Sequence, residues 1–340
     1  MREIKLAGKT KNEHYVPQCY LKRWKNEKGK IVVYDKELNN TRYNSIADVA
    51  CKRYYYDIDS ECLSTLQADL LKRIGIDPES DSQFIEHFLG GHVENLFSEL
   101  LNQIISKAEH ATPWYEKNCY FISEMDKVNF AICLAFQYIR TDSVRKAVAD
   151  SSDCLHQVLK EIDVTHDVID KYIIKQGEEK NIHGNMLLDV EQIMELAEGF
   201  HNLIWILGIN RTGIPFYTSD SPIGTVPHVN HPFMSMAGIR SEGVEVFFPL
   251  SPMHVLLMYE GSYHKNLISY ERKYLSLTQK ERIEYYNSVS IFESDRNIFS
   301  CNGDFNMVEN LRQGNPEAFE CPRVQITWNG KEYRPTRYKN

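Results

Sequence analysis

Apolar residues along this chain follow two different rhythms. Between about residues 61 and 200 they recur at the three- and four-residue spacing of amphipathic helices, and from 201 they fall into short runs broken by Gly, Pro and Ser. The first rhythm predicts a helix over 61–74 that ends at Gly75. Ser80 and Gln83 form a capping-box pattern at the start of a long helix through residue 109, where the pair Gly90-Gly91 permits a kink. Ser123 and Asp126 open another helix, apolar over much of its circumference and so expected to be central. Helices over 152–175 and 187–198 are expected to flank a polar loop, 176–185. The second rhythm predicts strands over 203–210, 214–218, 244–248, 254–259, 297–301 and 323–328, with a helix over 277–288 and a helical turn over 305–312. Helices first and strands later make an α+β fold, a helical N-terminal and central part packed on a mostly antiparallel C-terminal sheet. The expected organisation is one domain over 1–340, divisible into a mainly helical 1–200 with a small N-terminal strand region and a β-rich 201–340.

Before the helices lies a denser stretch, residues 12–24, NEHYVPQCYLKRW. Pro17 suits a helix start and pushes Val16 towards an extended conformation. The short helix it opens, 17–25, carries Tyr20, Leu21 and Trp24 on one face. His14 sits in the extended lead-in, where the positive helix end disfavours an imidazolium. A neutral imidazole there can serve as a general base, or it can simply cap and cover the helix start. A strand over 30–36 follows. Residues 52–57, KRYYYD, form a second basic and aromatic cluster that can stack bases and hold phosphates or sit on a half-buried strand.

Composition sets outer limits. The length suits one large domain or two closely packed ones, and 42% apolar with 25% charged residues is ordinary for a globular protein. No run reaches the roughly 18 apolar residues of a membrane span. The first residues lack the apolar core of a secretory signal, so a cytoplasmic location is the expectation. Eight cysteines show no CxxC pair and read as reduced thiols. His228-x-x-His231 lies among prolines with no Cys, Asp or Glu close in sequence, and reads as loop chemistry. The net charge of −8 hides an asymmetry: residues 1–53 hold 13 basic and 6 acidic residues, against 26 and 41 in the rest. That basic segment is compatible with nucleic-acid contact, or with docking on the chain's own acidic helices.

Nucleotide-cofactor motifs are absent, since neither GxGxxG nor GxxxxGK[ST] occurs; GxSxG and HExxH are missing too. The candidate chemistry is therefore scattered. Gln137, Arg140 and Thr141 interrupt the apolar central helix. An inward Arg140 needs a carboxylate, for which Glu94 is a candidate; an outward one snorkels to water at the helix end. Asp220, in Thr218-Ser219-Asp220-Ser221-Pro222, either exposes a carboxylate at a sheet edge or closes an Asx turn.

Four blocks, HYVPQCYLKRW, QYIRT, FYTSDSPIG and FPLSP, occur in that order along the chain. In these it resembles the domain-of-unknown-function 4238 family of bacteria, with its HYVPQFYL-like opening and TSDNP-like block. Cys19 replaces the usual aromatic, Trp24 the usual phenylalanine and Ser221 the usual asparagine. The resemblance implies that His14, Tyr15, Pro17, Gln137, Arg140, Asp220 and Pro222 hold the family's characteristic positions, and it carries no settled activity. A His-Asn-His nuclease module is not expected, because the next histidine after His14 is His87, inside a helix. A phosphodiester-cleaving protein of a bacterial defence or toxin-like system is the leading expectation. In it His14 is the base, Arg140 stabilises the transition state and Asp220 orients a group or binds a divalent metal, while Tyr15, Gln18, Arg53 and Gln137 bind substrate. The alternative is a non-enzymatic ligand- or partner-binding protein in which the same His, Arg and Asp form a buried network.

Overall fold

The computed structural model describes residues 9–162, 173–175, 177–232, 234–319 and 324–338. Strands β1 (Asn12–His14), β2 (Ile31–Asp35), β3 (Asn40–Asn44) and β4 (Cys51–Arg53) surround helix α1 (Gln18–Leu21). Helices α2 (Thr65–Arg73), α3 (Phe84–Phe88), α4 (Glu94–Glu109), α5 (Pro113–Asn118), α6 (Glu124–Ile139), α7 (Asp142–Glu161), α8 (Glu179–Leu188) and α9 (Val190–His201) follow. Then come β5 (Ile204–Asn210), β6 (Thr218–Ser219), β7 (Gly224–Pro227), β8 (Val244–Ser251), β9 (His254–Tyr259), β10 (Lys273–Leu277), α10 (Lys280–Glu293), β11 (Asn297–Ser300), α11 (Asn306–Gly314), β12 (Ile326–Trp328) and β13 (Lys331–Tyr333). This is the α+β class expected from the two rhythms.

A five-stranded sheet, in the order β10-β5-β9-β8-β7, is antiparallel except for the β10–β5 pair. Its three inner strands, β5, β9 and β8, are buried throughout because both faces are covered. Trp205, Leu207, Val246, Phe248, Leu256 and Met258 join the core of α4, α6 and α9, whereas Ile204, Ile206, Phe247, Val255 and Leu257 pack with Ile283 and Tyr286 of α10. A second sheet, β3-β2-β11-β6, is antiparallel and draws its strands from both ends of the chain. Neither half of the sequence holds a complete set of its partners.

Several expectations need correction. Ser80 caps nothing at α3, and Gln83 occupies the N-cap position without capping; its amide instead holds both backbone groups of Thr10 and reaches Glu13. The glycine pair falls in a π-helical turn, Leu89–Val93, between α3 and α4. The helix placed from residue 152 begins ten residues earlier, at Asp142, directly after α6; its expected continuation over 163–172 lies outside the described residues. Most of the loop expected over 176–185 is helix α8, because long-range packing overrides its polar composition. His183 is fully buried there with Nε2 2.8 Å from the Ile139 carbonyl. The strand expected over 214–218 shrinks to Thr218–Ser219: the Phe216 and Tyr217 N–H groups are taken by the Pro252 carbonyl and the Asn287 side chain. Strand β4 stops before the three tyrosines, where Tyr54 adopts a positive φ of 49°. Residue 323, the expected start of the last strand, is outside the described residues.

The opening helix behaves as its face predicts. Tyr20, Leu21 and Trp24 are buried, Tyr20 stacks on Phe248 with ring centroids 5.1 Å apart, and its hydroxyl donates to the Pro249 carbonyl at 2.7 Å. With its only hydrogen so used, that hydroxyl accepts from Thr218 at 2.5 Å. Trp24 Nε1 donates to the Phe216 carbonyl. This one short helix therefore ties together three of the blocks noted in the sequence.

Candidate functional site

Arg140 is the C-cap of α6 and is 1% exposed. It points inward: its Nη2 donates to the His14 carbonyl at 2.5 Å and to Glu94 at 2.8 Å, and its Nε reaches the Tyr56 hydroxyl at 3.3 Å. The partner singled out in the sequence, Glu94, is the one it finds. Burial opposes the charge, but Tyr56 and Glu94 outweigh it and hold Arg140 above its ordinary pKa.

His14 is also buried. Its Nε2 lies 3.3 Å from the Ile46 carbonyl, and its Nδ1 lies 3.5 Å from the Gln18 amide. A carbonyl can only accept, so Nε2 carries the proton. Burial holds this imidazole below its ordinary pKa, with Arg140 acting in the same direction. Tyr15 is buried with its ring 5.5 Å from that of Tyr55. Its carbonyl accepts weakly from Gln137 Nε2 at 3.5 Å. Arg53 lies apart, exposed on β4 opposite Asn12.

Asp220 sits elsewhere. It is 1% exposed, and it accepts from the backbone N–H groups of Asp295, Arg296 and Asn297 at 2.9, 3.0 and 2.7 Å. Burial and the nearby Asp295 push its pKa up, while the Asn297 and Arg296 N–H groups pull it down. The side chain clasps the segment 295–297 and closes no turn of its own. Ser219 takes that turn role, accepting from the Ser221 N–H at 3.0 Å.

His14, Gln137 and Arg140 therefore share one buried locus. Asp220 forms a second, and a line of hydroxyls joins them. Thr141 lies 2.9 Å from Ser143, and Ser143 lies 2.6 Å from Ser221. Beside this line is a cleft of about 220 Å³ lined by Gln137, Thr141, Ser143, Ser221, Thr225 and Glu293, among others. Gln137 is 3% exposed, and its Oε1 is buried without a hydrogen-bond partner. That is the one side-chain acceptor on this wall left in such a state among the described residues, and it marks the cleft as the candidate site.

The family model for the protein of unknown function DUF4238 matches residues 12–304. The chain belongs to the DUF4238 family. No curated protein matches it, and no solved structure does. The four blocks of this DUF4238 chain all lie within the matched span, and three of them supply the two buried loci and the cleft wall.

Other groups were not legible in advance. Glu13, fully buried, accepts from the Tyr56 N–H and from Gln83. Glu86 faces Arg140 and Glu94, and burial raises it to about 7. Both lacked a signal because their partners lie 43 to 70 residues away for Glu13 and 54 for Arg140. The pair His228-x-x-His231 gains a carboxylate from across the sheet: His228 Nε2 lies 2.8 Å from buried Glu245, which also accepts from Tyr286 at 2.8 Å. Among the described residues no group of three or more His, Cys, Asp or Glu is placed to hold a metal. Among them, too, no helix is long and apolar enough to cross a membrane. Part of the basic segment is paired within the chain, Lys52 with Asp142 and Arg42 with Asp35.

Proposed function

We propose that this DUF4238 protein is a non-enzymatic binding protein. Its His14–Arg140 and Asp220 loci are buried braces that hold the cleft open for a small ligand. The observation that carries this reading is the unpartnered Oε1 of Gln137, a residue that lines the cleft, because a buried acceptor without a donor costs about 1–3 kcal/mol and a ligand that donates to it recovers that loss. The saturation of the candidate catalytic groups supports it as well. Arg140 is engaged by a carbonyl, a hydroxyl and a carboxylate, and Asp220 by three backbone N–H groups, so both spend their hydrogen bonds on holding the fold.

Chemical denaturation of His14→Ala, Arg140→Ala and Asp220→Ala tests the reading. Removing one member of a buried polar network typically costs ~3–5 kcal/mol, so Arg140→Ala and Asp220→Ala lose about that much stability. His14→Ala loses roughly 1–3 kcal/mol. Phosphodiester cleavage makes the opposite forecast. RNA or DNA cut by the wild type with a divalent metal, and left intact by these variants while their stability is nearly kept, replaces binding by catalysis.

A further inference from the structure

The direction of the hydroxyl line decides what the cleft can recognise. Thr141 Oγ1 lies 3.1 Å from the Tyr138 carbonyl, which accepts only, so the single Thr141 hydrogen is spent there. Thr141 must then accept from Ser143, and Ser143, its own hydrogen spent, must accept from Ser221. The hydrogens all run one way along the line, and Ser221 Oγ is left with lone pairs alone. The neighbouring amide has the same bias: Gln137 Nε2 is turned to the Tyr15 carbonyl, which leaves Oε1 without a donor. Turning the amide over would set Oε1 against that carbonyl, so the orientation is fixed by the same logic.

We infer that the cleft takes a ligand that donates hydrogen bonds, a primary ammonium or guanidinium group, and that it discriminates against acceptor-only phosphates and carboxylates. The inference rests on the binding reading above and specifies its ligand class. A protonated amine carries three donors and no acceptor, and a guanidinium five. Such a group supplies the hydrogens that Gln137 Oε1 and Ser221 Oγ lack, whereas an acceptor-only oxygen placed beside Ser221 Oγ meets lone pairs with lone pairs. The volume of about 220 Å³ suits a compact molecule.

Calorimetric titration of the full chain with 1,4-diaminobutane and butylguanidine, beside dimethyl phosphate, a diester with no P–OH donor, and butyrate, tests the inference. The expected result is binding of one or both cations and of neither anion. Gln137→Met, which keeps length and removes the acceptor, should weaken that binding at least tenfold, and Ser221→Ala serves as an independent second variant. Dimethyl phosphate or butyrate binding that Gln137→Met or Ser221→Ala weakens, with no cation binding, overturns the ligand class and leaves the binding reading in place. No binding by any probe, or cation binding that neither variant alters, overturns the inference at this cleft. If Gln137→Met also gains stability while no ligand binds, the binding reading falls with it.

Discussion

Asp35 illustrates how a single side chain can be committed on every lone pair. It is fully buried, takes Arg296 through Nε and Nη2 at 3.0 and 2.8 Å, takes Arg42 at 2.6 Å, and accepts the Glu37 and Leu38 N–H groups at 3.1 Å. Burial alone would raise its pKa, but Arg296, the Leu38 N–H and Arg42 prevail and hold it at about 2. A carboxyl depressed in the folded state contributes stability above its unfolded pKa, and that contribution is lost as pH falls through the folded value. Both arginines are about a third exposed, so solvent screening reduces the contribution to roughly 1–2 kcal/mol. Urea denaturation of wild type and Asp35→Asn between pH 6 and 2 should show the stability gap closing by about that amount, mainly below pH 4. A gap that stays constant would mean Asp35 acts through packing alone. The same residue-scale accounting separates His14 from Arg140: the histidine holds its place with two long hydrogen bonds, the arginine with two short ones, to the His14 carbonyl and Glu94, and a longer one to Tyr56.

At the scale of elements, the block FYTSDSPIG matters less for the strand expected in it than for the backbone it holds in place. Phe216 and Thr218 receive Trp24 and Tyr20, Asp220 clasps 295–297, Ser221 ends the hydroxyl line, and Gly224 opens β7. Gly224 is required by close approach: a Cβ built there would overlap the Phe247 ring. Gly224→Ala is therefore an overpacking change expected to cost about 1–3 kcal/mol. The double variant Gly224→Ala/Phe247→Leu should recover part of it, measured as a denaturation midpoint. If the single change is neutral, β7 shifts freely and the cleft wall it carries is not rigid. Sequence periodicity found α6, β5 and β9 nearly in register because their apolar positions, and the Ser123 cap of α6, are local. It missed the start of α7 and most of α8, where the stabilising groups lie outside the element.

At the scale of the whole molecule, neutral histidines are built into the core. Burial holds His183 at about 3 and His254 at about 4, and each faces an arginine that acts in the same direction. An unfolded histidine takes up a proton below about pH 6.5 while these do not, so the unfolded state gains on acidification. His183 by itself should remove about 2 kcal/mol of stability between pH 7.5 and 5. Glu86, raised to about 7 by burial, works in the opposite sense, because a protonated buried carboxyl favours the fold as pH falls from 7 towards 4.5. The two slopes separate by comparison: His183→Gln should lose less stability than wild type over that range, and Glu86→Gln more. Equal slopes for wild type and His183→Gln would show that His183 titrates in the folded state as it does in the unfolded one.

Local patterns in the chain establish the α+β class, the identities of most elements, the apolar face of α1, the family, and the residues set apart by their chemistry on apolar backgrounds. Those features depend on periodicity, caps and composition within a window of a few turns. Long-range packing is what turns Arg140 inward to His14 and Glu94, commits the oxygens of Asp220 to residues 295–297, and leaves the Oε1 of cleft-lining Gln137 without a donor. The reason is physical. A polar side chain's role is set by which donors and acceptors reach it within about 3 Å, and here those partners lie 46 to 126 residues away in the chain.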